Sequence, residues 1–408
     1  MMRSPRAVVS ITGTMRSPRR PLLAVAAAVS LAVTAAPALA SPPALDAAVQ
    51  QLVTDGVPGA MALSREGNHT SYATAGVANL ATQEPIRTVD RYRIGSETKS
   101  FIATVVLKLE AQGKLRLDDS VERWLPGLVP NGSAITLRML LNHTSGLADY
   151  TDEAFYRQIV TFPLQDYTPR ELVARGTAQP PVCAPGACWS YANTNYILLG
   201  LVIDAAEHVP ASAERYGPAA EVYARIIAPL HLLDTSFPVT DPDLHGPYAH
   251  GYAIGLPPEW GLPDVLDTTR SNPSWAWTAG AVVSTLDDTA RFYRALFAGQ
   301  LLPPAQQREL LTTVPVQEGL DYGLGIFRLQ TPCGEALGHD GGTPSHLNIV
   351  LVSPDGKRQA MVMVNRDLNT FTDAIWNDWD AATNAAFCGG EAARSTAGLA
   401  PTLAKLRG

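Results

Sequence analysis

Ser96-Glu97-Thr98-Lys99 sets a hydroxyl and an amine three residues apart. On a helix that spacing places them on one face, a turn from each other. A serine hydroxyl is a poor nucleophile until a neighbouring base takes its proton. A lysine serves as that base only where burial or nearby positive charge lowers its pKa. The amino end of a helix would favour negative charge developing beside Ser96. Tyr191-Ala192-Asn193 adds a phenol able to shuttle a proton and an amide able to hold a substrate peptide bond. His339-Asp340-Gly341-Gly342-Thr343 follows a strand-like run. Its glycines would leave room for an extended ligand, and their N–H groups could stabilise an oxyanion. Each string alone has a plainer reading: a capping serine beside a solvated lysine, a helix-entry turn, a Gly-rich turn. Their occurrence together and in this order is the informative feature.

The elements that must position these residues are legible as patterns. A helix over 45–54 precedes two strand-like runs, 59–65 and 71–79, around the turn signal Glu66-Gly67-Asn68. A short strand, 91–94, runs straight into the Ser96 tetrapeptide and an apolar helix over 101–110, which Gly113 stops. The stretch 114–275 reads as helical pieces (137–142, 169–175, 195–206, 219–228) between Pro- and Gly-rich connections, with 237–273 lacking regular structure. Thr168-Pro169-Arg170-Glu171 has a capping-box pattern. Strand character returns at 279–284, followed by a helix over 286–297. Further strands are expected at 322–329, 336–339, 346–352 and 359–365, the last two joined through Ser353-Pro354-Asp355-Gly356, and a final helix at 372–387. The expected architecture is α+β: an antiparallel sheet flanked by helices, built from 41–113 plus 276–390. An all-helical lobe, 114–275, is inserted between them, and 391–408 forms a tail. A cleft between the lobes is the natural ligand site.

The chain has 408 residues, 46% hydrophobic and 17% charged, which supports a large core and excludes disorder as the main state. Arg16, Arg19 and Arg20 precede the apolar run 22–33 and Ala38-Leu39-Ala40, the pattern of a secretory signal peptide cleaved after Ala40. The expected product is secreted, with no stable membrane anchor. Met2-Arg-Ser-Pro recurs at Met15, a second possible start. Beyond Ala40 the chain carries 26 basic and 38 acidic residues, a balance that disfavours nucleic acid and anionic membranes as partners. Four cysteines in an oxidising compartment suggest disulfides. Cys183 and Cys188 enclose a four-residue turn and could pair, which would leave Cys333 with Cys388; two other connectivities remain open. His245 and His250 lie close together without a helical His-x-x-x-His spacing, so no metal is expected and no cofactor is implied.

Several longer strings reinforce the three motifs: Leu140-Leu-Asn-His-Thr-Ser-Gly-Leu147, Trp189-Ser-Tyr-Ala-Asn-Thr-Asn-Tyr196, Thr278-Ala-Gly-Ala-Val-Val-Ser284 and Tyr322-Gly-Leu-Gly325. With them the chain, from about Val57 to Cys388, resembles the penicillin-recognising serine hydrolases: DD-peptidases, serine β-lactamases and related esterases. It looks most like their secreted D-alanyl-D-alanine carboxypeptidases. The resemblance implies a β-lactamase/transpeptidase-like fold and an acyl-enzyme mechanism. Ser96 would be the nucleophile and Lys99 its proton acceptor, with Tyr191 relaying a proton to the leaving amine. Asn193 would bind the substrate amide, His339 would supply polarity near the substrate carboxylate, and the N–H groups of Ser96 and Gly342, beside Gly341, would form the oxyanion hole. Trp275 and Phe155 would line the cleft. A Cys333–Cys388 bridge has a counterpart in relatives. The implied partners are peptidoglycan stem peptides or other small acyl donors, with β-lactams as covalent inhibitors. Two departures bear on the substrate. Related carboxypeptidases place an Arg where Phe327 stands, and Thr where Asp340 and Gly342 stand. Asp340 would repel a carboxylate and attract an amine, so an esterase, a D-amino-acid amidase or aminopeptidase, or a β-lactamase competes with the carboxypeptidase reading. A non-catalytic sensor of muropeptides or β-lactams is the alternative of another class.

Overall fold

Gly59–Glu66 and Arg358–Val364, nearly three hundred residues apart in sequence, pair antiparallel in register from Ala60↔Val364 to Glu66↔Arg358. In the computed structural model, which describes residues 43–389, they are the third and fourth strands of a nine-stranded sheet. The expected leader, its cleavage site after Ala40 and the 391–408 tail lie outside the described residues. From one edge the order is Glu84–Pro85, His69–Asn79, Gly59–Glu66, Arg358–Val364, Leu347–Val352, Gly334–Gly342, Phe327–Thr331, Leu320–Tyr322, Val314–Gln317.

Apolar side chains alternate between two cores, as a period of two requires. Ala60, Ala62, Val362 and Val364 pack under the helices Pro43–Thr54 and Asp373–Cys388. Met61, Leu63, Met361 and Met363 join a cluster holding Phe101, Ile102, Phe292 and Leu296 of the helices Thr98–Ala111 and Leu286–Phe297. With both faces covered, Leu347–Val352 is buried at every residue. The middle of the chain is helical apart from a short ladder, Tyr252–Ile254 with Val265–Asp267, inside the segment expected to be irregular. Its central helix, Asn193–Ala206, is apolar on nearly all sides and packs on Thr98–Ala111. That contact brings two of the sequence motifs together.

Both disulfides take the first connectivity considered, Cys183–Cys188 and Cys333–Cys388. The capping box at Thr168 and Glu171 is formed. Three local expectations need correction. The run 322–329 is two strands, not one, because Gly325 at φ +74° turns the chain where any Cβ would meet Ala103 and Lys99. The run 279–284 begins in the short helix Trp277–Gly280, and only Val283–Ser284 are extended, against Tyr92–Arg93. A helix not anticipated, Glu153–Thr161, is started by Asp152, whose carboxylate accepts from Phe155 N at 2.8 Å. Among the described residues no helix is long and apolar enough to cross a membrane.

Candidate active site

Ser96 sits in a single tight turn, Gly95–Glu97, that leads directly into the helix Thr98–Ala111. The turn is wedged against the end of the strand Gly334–Gly342. A Cβ on Gly95, whose φ is +54°, would come within 2.7 Å of Gly342 N; one on Gly341 would come within 1.8 Å of Ile94 O. Gly341 therefore makes room for the chain's own nucleophile turn rather than for ligand. Gly342 lines the cleft beside Ser96.

Lys99 is fully buried one turn on, with the ring faces of Tyr191 and Tyr196 at 4.8 and 5.5 Å from Nζ. Its Nζ lies 3.0 Å from Ser96 Oγ, 2.7 Å from Asn193 Oδ1 and 2.9 Å from Ala279 O. The amide oxygen and the carbonyl can only accept. As the ammonium the group donates to all three oxygens; in its neutral form it would have two N–H bonds for those two acceptors and a lone pair left for the serine hydroxyl. That is the arrangement a general base needs. Tyr191 lines the cleft with Ser96, and its ring stacks on the buried His143 at 4.2 Å between centroids. Burial, then Lys99 and His339, hold the His143 imidazole well below its usual pKa, so the stacking partner is neutral.

The cleft has a volume of about 460 Å³ and gathers Ser96, Tyr191, Asn193, Gly342, Trp275 and Phe155. Phe155 is 1% exposed and packs edge-on to Tyr150 and Tyr167, so it is core as well as wall. His339 is not in the lining. Its Nδ1 donates to Asp340 O at 2.6 Å, and its Nε2 lies 2.8 Å from the hydroxyl of Tyr322, against whose ring it sits edge-on. Asp340 is not in the lining either; it lies close enough to Glu97 to help burial push that carboxyl well above its usual pKa. At the position compared with an arginine, Phe327 packs against the His339 ring, while Arg328 pairs with Glu335 at 3.6 Å.

Sequence reading missed the acids that do face the cleft, Asp149, Asp152 and Glu153, and the walls Tyr156, Ile159 and Trp260. Asp149 stands two residues beyond the family-typical string ending at Leu147, close enough for that string to have pointed to it. Burial raises its pKa, opposed by hydrogen bonds from Thr151 and Asn193 and by Lys99. Asp152 is tied to Arg175 at 3.2 Å. No Lys, Arg or His is among the residues that line the cleft. Among the described residues no cluster of His, Cys, Asp and Glu is suited to hold a metal.

Comparison with known proteins bears on this geometry. The Beta-lactamase family model matches residues 45–385. The chain is 28% identical to Penicillin-binding protein 4* of Bacillus subtilis over 322 residues, covering 76% of this chain and 68% of that one. It is also 28% identical to Esterase EstB of Burkholderia gladioli, covering 74% and 82%. Among solved structures, a D-stereospecific amidohydrolase from Streptomyces sp. superposes with a TM-score of 0.76 at 36% identity, covering 85% of this chain and 98% of that one. The D-amino acid amidase of Ochrobactrum anthropi SV3 superposes with a TM-score of 0.70 at 27% identity, covering 84% and 97%.

Proposed function

Because this chain belongs to the beta-lactamase family of serine hydrolases, we propose that it is an exported acyl-transfer enzyme that cleaves amides, peptides or esters of D-amino acids bearing a free amino group. The observation that carries the substrate class is the cleft wall: Asp149, Asp152 and Glu153 line it, and no cationic side chain does. A carboxypeptidase must hold a free carboxylate, and this lining offers it only like charge. An ammonium finds carboxylates there instead. The reading thus moves from D-Ala-D-Ala carboxypeptidase to the amidase or aminopeptidase alternative. The role expected of Asp340 as the attracting anion passes to Asp152 and Glu153 of the lining, Asp149 being engaged with Asn193. The D-configuration rests on the two amide hydrolases whose folds superpose on this one. Export rests on the leader pattern and on two disulfides, which fit an oxidising, non-cytoplasmic compartment.

In the proposed cycle Ser96 Oγ attacks the carbonyl carbon while its proton passes to Lys99 Nζ. The N–H groups of Ser96 and Gly342 stabilise the oxyanion. Collapse breaks the bond to the leaving amine, which takes the proton from Lys99 by way of the Tyr191 hydroxyl. Water then repeats the sequence on the ester to free the acid and Ser96. A β-lactam offers the same carbonyl and would acylate the same oxygen.

The test is turnover of matched substrates: a D-amino-acid p-nitroanilide with a free amine, its N-acetyl derivative, and an N-blocked D-Ala-D-Ala peptide. The free amine should be favoured in kcat/KM by at least about tenfold, the worth of one modest charge contact. Preference for the peptide with the free carboxylate would restore the carboxypeptidase reading.

A further inference from the structure

The amide of Asn193 has more partners than a substrate-binding group can spare. Its Nδ2 lies 3.1 Å from Asp149 Oδ2 and 2.9 Å from Thr151 Oγ1, while its main-chain N–H donates to Asp149 Oδ1 at 3.1 Å. Both side-chain hydrogens are therefore committed inside the protein. The oxygen that remains faces Lys99 Nζ at 2.7 Å. Rotating the amide by half a turn would set Oδ1 against a buried carboxylate and Nδ2 against an amine that needs an acceptor. Both contacts would be repulsive.

We propose that Asp149, assisted by Thr151, is a positioning residue that locks the Asn193 amide with its oxygen toward Lys99 and so aims the lysine lone pair at Ser96. The inference rests on the serine acyl-transfer reading above and adds a part to it. It also changes what substrate meets at Asn193. That side chain presents an acceptor, so it contributes to holding an N–H or ammonium donor and not the carbonyl of an amide. The helix start at Asn193 and the loop of Asp149 are 44 residues apart in sequence, and these hydrogen bonds fix one against the other. Titratable groups around the lysine include Asp149 beyond the amide, His143 held neutral, and Tyr191 and Tyr196 by their ring faces. Around Asp149 they are Lys99 and the phenol of Tyr150.

Asp149→Asn, Thr151→Val, Asn193→Ala and the Asp149→Asn/Asn193→Ala double variant provide the test, with acylation by a chromogenic ester followed from pH 5 to 10. Asp149→Asn should slow the plateau acylation rate by at least about thirtyfold, within the range ascribed to a displaced general base. It should also move the acid limb of the profile to lower pH, since a carboxylate that favours the charged amine is gone. Thr151→Val should slow acylation by about three- to tenfold, the worth of one hydrogen bond. The double variant should be no slower than Asn193→Ala alone, because Asp149 acts through that amide. Wild-type rate and limb in Asp149→Asn, or independent effects in the double variant, would overturn the proposal. If Asp149→Asn does not fold, an unchanged rate in Thr151→Val would do so. A neutron structure of the wild type decides the orientation without any activity: both Nδ2 deuterons should point at Asp149 and Thr151, and a deuteron toward Lys99 would refute the lock. Wild-type protein that no ester or penicillin acylates would instead sink the functional reading, leaving the neutron result to judge the lock.

Discussion

Three oxygens around one amine define the chemistry at the scale of residues. Ser96 Oγ, Asn193 Oδ1 and Ala279 O are all within 3.0 Å of Lys99 Nζ, and only the first can give up a proton to it. Lys99→Arg puts a permanent charge at this position and has no lone pair to offer at any working pH. It should lower the acylation rate by about 10² to 10⁴, the usual worth of a general base, with the fold retained by circular dichroism. A rate within a few-fold of wild type would show that the base lies elsewhere. Ser96→Ala should abolish covalent labelling altogether. Gly95 makes a different kind of claim, because the clash there is with backbone. Gly95→Ala combines a left-handed φ with a Cβ 2.7 Å from Gly342 N, so it should push apart the two halves of the oxyanion site. Thermal unfolding should report a loss of about 1–3 kcal/mol, typical of overpacking. Unchanged stability and acylation together would show that the turn and the strand are not held in this contact.

The element that matters most is the pair formed by the helix Thr98–Ala111 and the helix Asn193–Ala206, which meet through apolar faces and carry the motifs to one point. Their periodicity and the Ser-x-x-Lys and Tyr-x-Asn strings were legible because each is local. The sheet was legible too, since strands covered on both faces read as near-continuous apolar runs, as at 347–352, where Asn348 is the one polar residue. What sequence could not supply was direction. His339 and Gly341 sit on a strand that ends at the cleft, yet one turns to Tyr322 and the other is filled by Ile94 O. Asp149 lies in a loop and gains meaning only from its long-range contact with Asn193, while Asp152 and Glu153, at the start of a helix, matter because that helix end faces the cleft. The Cys333–Cys388 bridge ties a turn of the sheet to the last helix across 55 residues. Chain-entropy arguments put its removal at up to about 4 kcal/mol, against about 2 for the short Cys183–Cys188 loop. Cys333→Ser with Cys388→Ser should therefore lower Tm more than the other double replacement, and the reverse order would contradict this account of the sheet–helix tether.

For the whole molecule, buried titratable groups set the pH range in which the fold persists. Burial, then Glu214, pushes the Asp204 carboxyl up to about 8 in the folded chain, against 3.8 as its ordinary value. Between those values the folded state holds a proton that the unfolded state has lost, so this group's contribution falls as pH rises from about 4 to 8. Asp204→Asn should flatten the alkaline side of a Tm-versus-pH curve. His346 acts oppositely: burial lowers its pKa from 6.5 to about 3, so stability is lost as pH falls through that window. The two windows overlap between about 4 and 6.5, so a stability maximum outside that overlap, or an unchanged slope from about 6.5 to 8 in Asp204→Asn, would count against these buried groups as its cause. The function of the whole chain turns on whether the Ser96 oxygen becomes acylated. The most direct measurement is intact-protein mass spectrometry with peptide mapping, after exposure to benzylpenicillin and separately to a D-amino-acid ester with a free amine. The account predicts one acyl adduct per chain, mapped to Ser96, formed with both compounds and absent in Ser96→Ala. A folded wild-type protein that stays unmodified by both, or an adduct on any other residue, would contradict it.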